Sequence, residues 1–318
     1  VQNCVDGVAP LICTIYRACL KLGYVPAAWQ LAEVIFIPKP GKANYDDPKS
    51  FRPITLTSFL LKGLERILDR YIRDSTDILG FNERQHAYRP GRSTDSALNE
   101  LTRRIESVFD KQNYGLGVFL DIQGAFDNAP LGGIEKALER KGVPNLVCNW
   151  ISQLLRNRTV VARLGDAESS VKATRGCPQG GVLSPLLWCI VVDELLDKLN
   201  SNQCYSQFYA DDGTILSVGG SLKRVCSSMQ KAIKVVETWC KNTDLTVNPA
   251  KTEMVLFTKK FKRDGWTSVS IMGTELTLSS EVKYLGVILD SKLNFDQHVD
   301  ARCRQATVGL VQCQKLAG

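Results

Sequence analysis

The sequence predicts an α+β protein in which a few antiparallel strands are backed by helices. Three observations carry that prediction. Apolar residues recur at spacings of three and four in several long stretches, short β-branched or aromatic runs stand among them, and Asp211-Asp212-Gly213 separates two of those runs as a tight turn would. With 318 residues, 44% hydrophobic and 23% charged, the chain has a globular composition, which excludes the disordered and collagen-like classes.

Residues 8–31 carry helical spacing, and Ala32 to Pro38 reads as a strand stopped by its proline. A basic turn, Lys39-Pro40-Gly41-Lys42, and an irregular stretch with Asp46, Asp47 and Pro48 lead to a helix from Ser58 to Ile78. Its predicted buried side is Leu60, Leu61, Leu64, Ile67, Leu68 and Tyr71. A polar, basic loop at 81–94 precedes a helix from Thr94 to Phe109, striped by Ala97, Leu98, Leu101, Ile105 and Phe109. Gly117 to Asp121 is an apolar strand ending on a carboxylate, and a helix from Leu131 to Lys141 is ended by Gly142.

Residues 146–156 are helical again, and Thr159 to Leu164 with Ser169 to Thr174 form a hairpin around Gly165-Asp166. Ser184-Pro185 opens a helix to about Leu199, with serine as N-cap and proline at the first helical position. Strands at Gln207–Ala210 and Thr214–Val218 flank the Asp-Asp-Gly turn. A helix at 221–242, a strand at 253–258, a hairpin at 268–278 and a strand at 282–289 follow. The tail repeats Phe295, Val299, Cys303, Ala306, Leu310 and Cys313 as one helical stripe.

Lys and Arg number 40 against 33 Asp and Glu, a net charge of +7 compatible with a polyanionic partner. No two of the eleven cysteines stand two to four residues apart, and with only His86 and His298 beside them no zinc-finger spacing can be assembled. The odd count, with no signal peptide, predicts free thiols in a reducing, intracellular setting, Cys189 and Cys303 among them packing as small hydrophobes. The longest apolar run, Pro185 to Val192, falls far short of the roughly 20 residues that span a bilayer, so no membrane partner is expected. The chain opens on Val1 and breaks off without a helix terminator, and is read as part of something longer.

Asp121 and the pair Asp211-Asp212 are carboxylates at the ends of strands that could lie side by side. Each alone reads as a turn or cap residue; together they offer hard oxygen ligands of the kind that hold Mg²⁺ with substrate phosphates. Two such ions can activate an attacking hydroxyl and stabilise a leaving oxygen in phosphoryl transfer. No histidine, serine or cysteine nucleophile is then required.

The ordered motifs around these aspartates make the sequence resemble the reverse transcriptase domain of non-LTR (LINE-type) retrotransposons. Leu120-Asp121-Ile122-Gln123-Gly124-Ala125-Phe126-Asp127 resembles that family's first palm motif, Arg175-Gly176-Cys177-Pro178-Gln179-Gly180 with Leu183-Ser184-Pro185 its second, and Phe208-Tyr209-Ala210-Asp211-Asp212 its third. Ile37 to Lys42, Phe51-Arg52-Pro53-Ile54 and Gln85 to Thr94 resemble its fingers motifs. Leu245 to Thr252 and Val282 to Val287 resemble its last palm motif and its primer grip.

The resemblance implies a right-hand polymerase fold and RNA-directed DNA synthesis. Fingers would come mainly from 1–115 with part of 143–175, the palm mainly from 116–142 and 176–290, and a truncated thumb from 291–318. It implies two Mg²⁺ ions, with Mn²⁺ as a possible substitute, on Asp121, Asp211 and Asp212, and Lys251 as general acid for pyrophosphate. Lys39 and Arg52 would reach the triphosphate, Phe126 would exclude a ribose 2′-hydroxyl, and Gln179, Gly180 and Tyr209 would contact substrate. The implied partners are an RNA template, a DNA primer, deoxynucleotides and other domains of a parent polyprotein, with a nuclear step during integration. Two basic clusters, Arg89, Arg92, Arg103 and Arg104, and Lys259, Lys260, Lys262 and Arg263, are possible template contacts. An RNA-dependent RNA polymerase and a catalytically dead RNA-binding scaffold are the rival readings, the second opposed by the intact aspartates.

Overall fold

The stretch predicted as one helix is broken in two, α1 (Val5–Leu22) and α2 (Ala27–Gln30), because Gly23 takes φ +59° and Pro26 caps the second piece. The chain continues through β1 (Leu31–Pro38), β2 (Phe51–Leu56), α3 (Phe59–Asp74), α4 (Thr94–Asp110), β3 (Tyr114–Asp121), α5 (Ala125–Asn128), α6 (Leu131–Arg140) and α7 (Asn145–Arg156). Then come β4 (Thr159–Leu164), β5 (Ala167–Lys172), α8 (Ser184–Asn200), β6 (Tyr205–Tyr209), β7 (Asp212–Gly219), α9 (Leu222–Thr243) and β8 (Glu253–Phe257). Four short strands, β9 (Ser270–Ile271), β10 (Thr274–Glu275), β11 (Leu278–Ser279) and β12 (Glu281–Tyr284), precede β13 (Val287–Asp290) and α10 (Asp296–Ala317). This computed structural model describes residues 5–41, 44–75, 80–164, 167–200 and 204–317. Lys42 of the basic turn, the Gly165-Asp166 hairpin tip and residues 76–78 of the helix predicted to reach Ile78 lie outside the described residues.

Two compact units divide the chain: Val1–Asn82, Gly124–Glu194 and Asn242–Leu245 form the first, and Glu83–Gln123, Leu195–Lys241 and Thr246–Gly318 the second. The first contains a four-stranded sheet in the order β2-β1-β4-β5, parallel only between β1 and β4. Tyr16 meets Trp29 edge-on at 6.0 Å and donates its hydroxyl to the Leu60 carbonyl, tying α1 to the start of α3. In the second unit the sheet order is β11-β8-β3-β7-β6, with β3 at its centre. Because β3 is covered on both faces, it reads in sequence as an apolar run rather than an alternation. Leu101, Ile105 and Phe109 of α4 pack on Phe119, Leu216 and Phe257 of this sheet.

Several expectations need correction. The irregular stretch after Pro48 holds a strand, β2, hidden in the sequence by Pro53; that proline is tolerated because β2 is an edge. The predicted strand at 282–289 is a hairpin, β12–β13, turning at Leu285 (φ +47°) and Gly286 (φ +85°). On α3 the buried stripe is Leu61, Leu64, Leu68 and Ile72, while Leu60, Ile67 and Tyr71 are exposed. The tail does form a helix, but Val299, Cys303 and Leu310 on its apolar stripe are exposed. Cys189 is buried as expected and Cys303 is not, and the ten described cysteines are free. No described helix is long and apolar enough to cross a membrane.

Candidate active site

Strand register brings the carboxylates of the second unit together. Asp121 ends β3 directly opposite Asp212 at the start of β7, and Tyr209, the last residue of β6, pairs with Asp212 from the other side. Ala210 takes φ +55° to make the turn that presents Asp211. Beyond it Gly213 is obligatory in bulk rather than in φ, since a Cβ there would stand 2.4 Å from the Phe208 ring. Both neighbouring segments brace the hairpin: the Phe208 amide donates to Arg84 and the His86 amide to Phe208, while the Asn248 amide donates to the Asp121 carbonyl. Behind β6, the Tyr205 hydroxyl donates to Gln207, whose amide donates in turn to Tyr284 and to the Ala97 carbonyl.

Asp211 and Asp212 are solvent-accessible side chains set among protein atoms that displace part of their hydration. Partial desolvation raises the carboxyl of Asp211, with a further push from Asp121. Desolvation and then the charges of Asp211 and Asp121 push Asp212 up to about 6. Three mutually repelling carboxylates are a site that a hard cation relieves. Lys251, at the end of a 3-10 turn over Pro249–Lys251, stands 3.5 Å from the Asp121 carboxylate and supplies part of that compensation.

Among the described residues, no three His, Cys, Asp or Glu side chains form a ready-made metal-binding group. Mg²⁺ does not demand one, because it dehydrates reluctantly and is held by one or two carboxylates together with waters and substrate phosphates. The histidines are elsewhere engaged: His86 is buried against Ser96, and His298 accepts from the Ile288 amide. The donor set therefore fits magnesium or manganese chemistry and not zinc.

In the first unit, Lys39 and Arg52 belong to one hairpin, where Ile37 pairs with Arg52 and Lys39 follows β1 directly. Phe126 is half-buried with its ring 5.6 Å from that of Trp188. The Gln179 amide donates to the Asp127 carboxylate at 2.6 Å, and the Cys177 amide to the Phe126 carbonyl, so the Pro178-Gln179 loop is fastened to α5. Gly180 takes φ +108°, and a Cβ on it would stand 2.7 Å from the Thr55 carbonyl. The close approach that requires glycine at this position is thus made by the protein's own β2, not left for a ligand.

Sequence reasoning missed the support of this loop. Arg158, only 5% exposed, donates to the carbonyls of Arg175 and Gly176 and is electrostatically coupled to Asp127, Glu65 and Cys177. Glu65 accepts from the Val182 amide, and burial raises its carboxyl and that of Asp127. Burial likewise pushes the Cys177 thiol up to about 12, which makes it inert. A charged residue interrupting an apolar helix face, as Glu65 does between Leu64 and Leu68, was the available signal. Nothing in the sequence distinguishes Arg158 from its neighbour Arg156, which is exposed and paired with Glu135.

Comparison with known proteins identifies the family. The sequence matches the family described as reverse transcriptase (RNA-dependent DNA polymerase) over residues 37–289. It is 31% identical over 298 residues to a probable RNA-directed DNA polymerase from transposon BS of Drosophila melanogaster, covering 92% of this chain and 33% of that protein. A Pol polyprotein from the type-1 retrotransposable element R1 of Bradysia coprophila is 30% identical over 301 residues, covering 94% and 29% respectively. The chain thus spans about a third of the length of these curated relatives. Among solved structures, apo telomerase from Candida tropicalis, truncated from its C-terminal domain, aligns with a TM-score of 0.56 at 13% identity, covering 86% of this chain and 55% of that one. That likeness concerns the fold, the right-hand polymerase fold expected from the motifs. On the family match and the identity to these polymerases, the chain belongs to the reverse transcriptase family, among the RNA-directed DNA polymerases of non-LTR retrotransposons.

Proposed function

We propose that this domain copies an RNA template into DNA from deoxynucleotides by metal-assisted phosphoryl transfer, as part of a longer retrotransposon protein. The observation that carries the reading is the pairing of Asp121 with Asp212 across one ladder, with Asp211 beside them and all three electrostatically coupled. Asp121, Asp211 and Asp212 are the residues that would hold two Mg²⁺ ions, or Mn²⁺ in their place. When bound, the ions supply activation of the primer hydroxyl and charge stabilisation at the leaving oxygen.

The remaining roles belong to this chain's own side chains. Lys39 and Arg52 neutralise the triphosphate, and Phe126 excludes a 2′-hydroxyl. Gln179, held by Asp127, orients the nucleotide, and Gly180 and Tyr209 are further substrate contacts. Lys251, whose ammonium stands 3.5 Å from the Asp121 carboxylate, is placed as the proton donor to pyrophosphate. In the same proposal the fingers come mainly from 1–115 with part of 143–175, the palm mainly from 116–142 and 176–290 and the start of a thumb from 291–318, and the partners are template RNA, a DNA primer and the rest of the parent protein. Action in the nucleus during integration is part of the same proposal.

Primer extension on poly(rA)·oligo(dT) with Mg²⁺ tests the reading. The chain should incorporate dTTP in strong preference to UTP. Asp211→Ala should lose at least about 10²–10³-fold in rate, the size of effect seen when one preorganised charge-stabilising group is removed. Preference for UTP would make the domain an RNA polymerase, and an unchanged rate in the variant would remove the carboxylates from the chemistry.

A further inference from the structure

The end of the second unit's sheet opposite the carboxylates carries a second concentration of charge, of the other sign. Tyr114 pairs with Gly219 seven residues along the ladder from the Asp121–Asp212 pair, roughly 23 Å away at about 3.3 Å per residue. There an open pocket of about 470 Å³ is lined by Arg84, Arg104 and Lys111, with Asn113 and Tyr205. The Arg104 guanidinium lies 3.8 Å over the Tyr205 ring, and its carboxylate partner, Glu100, is shared with Arg103.

The fold places beside this pocket the loop Lys259-Lys260-Phe261-Lys262-Arg263, which is some 150 residues away in sequence. Thr258 donates to the Asn113 carbonyl, the Tyr114 hydroxyl donates to the Lys262 carbonyl, and the ammonium groups of Lys259 and Lys260 sit over the rings of Phe109 and Tyr114. The loop is therefore docked on the turn between α4 and β3 that also forms the pocket wall. At its tip Phe261 is 99% exposed, and Lys262 and Arg263 beside it are exposed. Against three cations of the pocket and four of the loop stand five acids, Glu83, Glu100, Glu106, Asp110 and Asp264.

We propose that this surface binds single-stranded RNA, namely template outside the stretch being copied. A row of cations supplies the phosphate contacts, and an aromatic ring held out among them supplies a stacking platform for a base, the combination single strands use. A lipid surface is a poorer match, because one ring is little apolar area for an interface anchor. The separation from the carboxylates means that the RNA bound here cannot be the base pair under synthesis. The identity of the ligand rests on the RNA-copying reading, but the binding itself needs neither metal nor nucleotide, so the two fail separately.

The test uses the full chain in metal-free buffer, with anisotropy of labelled oligo(rU) of about 30 nucleotides and of a short RNA–DNA duplex. Phe261→Ala and the double variant Lys262→Glu/Arg263→Glu should each weaken oligo(rU) binding about tenfold, leave the duplex within twofold, and, for the double variant, lower the slope of log K on log salt by about 1.4. In primer extension the same variants should raise the apparent KM for a long template about tenfold and leave a template barely longer than its primer unchanged. Oligo(rU) affinity within twofold of the parent would overturn the proposal. So would an equal loss on the duplex, or an equal rise in KM on the short template.

Discussion

The carboxylate hairpin of the second unit and the Pro178-Gln179 loop of the first are held in place by opposite means. The hairpin is fixed almost entirely by backbone ladders: β7 between β3 and β6, with Arg84 to His86 and Asn248 closing on either side. The side chains of Asp211 and Asp212 are in tension, each carboxyl raised by partial desolvation and by its charged neighbours. The loop lies in no strand ladder: single backbone bonds tie Thr55 to Gln179, Cys177 to Phe126 and Gly176 to Ala129, and side chains complete its support, Arg158 and Glu65 beneath it and Asp127 beside it. The lesson is that repelling charges can be placed by backbone geometry alone, whereas a loop that must present one amide needs a buried counter-charge.

This contrast can be broken at three points. The largest expected effect is at Arg158: Arg158→Met removes a buried cation and leaves the Arg175 and Gly176 carbonyls without their donor. It should cost about 3–5 kcal/mol in chemical denaturation. A loss below about 1 kcal/mol would mean that the loop does not depend on it.

Next is pH, through His86 in the second unit. Burial first, and then Arg92, lowers its imidazole to about 4, so the folded state holds it neutral while the unfolded state titrates near 6.5. The stability it contributes is fully present above about pH 6.5, and is lost as pH falls from there towards 4, by roughly 1.4 kcal/mol per pH unit. His86→Gln should remove that slope, seen as a flatter melting temperature between pH 6.5 and 4. An identical slope in the variant would detach the bracing segment from this titration.

The smallest effect is at Asp127. Asp127→Ala frees the Gln179 amide without touching any ladder, and should raise the KM for deoxynucleotide about tenfold with kcat little changed. Gln179→Ala should match it, and the double variant should be no worse than either. Additive losses would show that the two residues act separately.

Much of the site was legible before any fold was known. Asp121, Asp211 and Asp212 stood out because strand-ending carboxylates in ordered motifs are local patterns, and the helices at Thr94–Asp110 and Ser184–Asn200 announced themselves by periodicity and caps. What stayed hidden depended on context. Pro53 disguised β2 because only its edge position makes a proline acceptable in a strand. The turn at Leu285-Gly286 was masked by apolar residues on both sides, since a two-stranded hairpin and one long strand share the same alternation. The apolar stripe of α10 marks a helix, yet Cys303 on it is exposed rather than packed, because periodicity reports a face and not what covers it.

By itself, then, the sequence determined the family and the candidate acids: which ones, on which kinds of element, in which order. Only the tertiary structure decided which charges would be neighbours. It set Asp121 against Asp212, buried Arg158 while leaving Arg156 in solvent, and joined α4 to a basic loop far along the chain. Propensity and spacing act over a turn or two of chain, whereas electrostatic coupling depends on distances through space that strand register alone fixes.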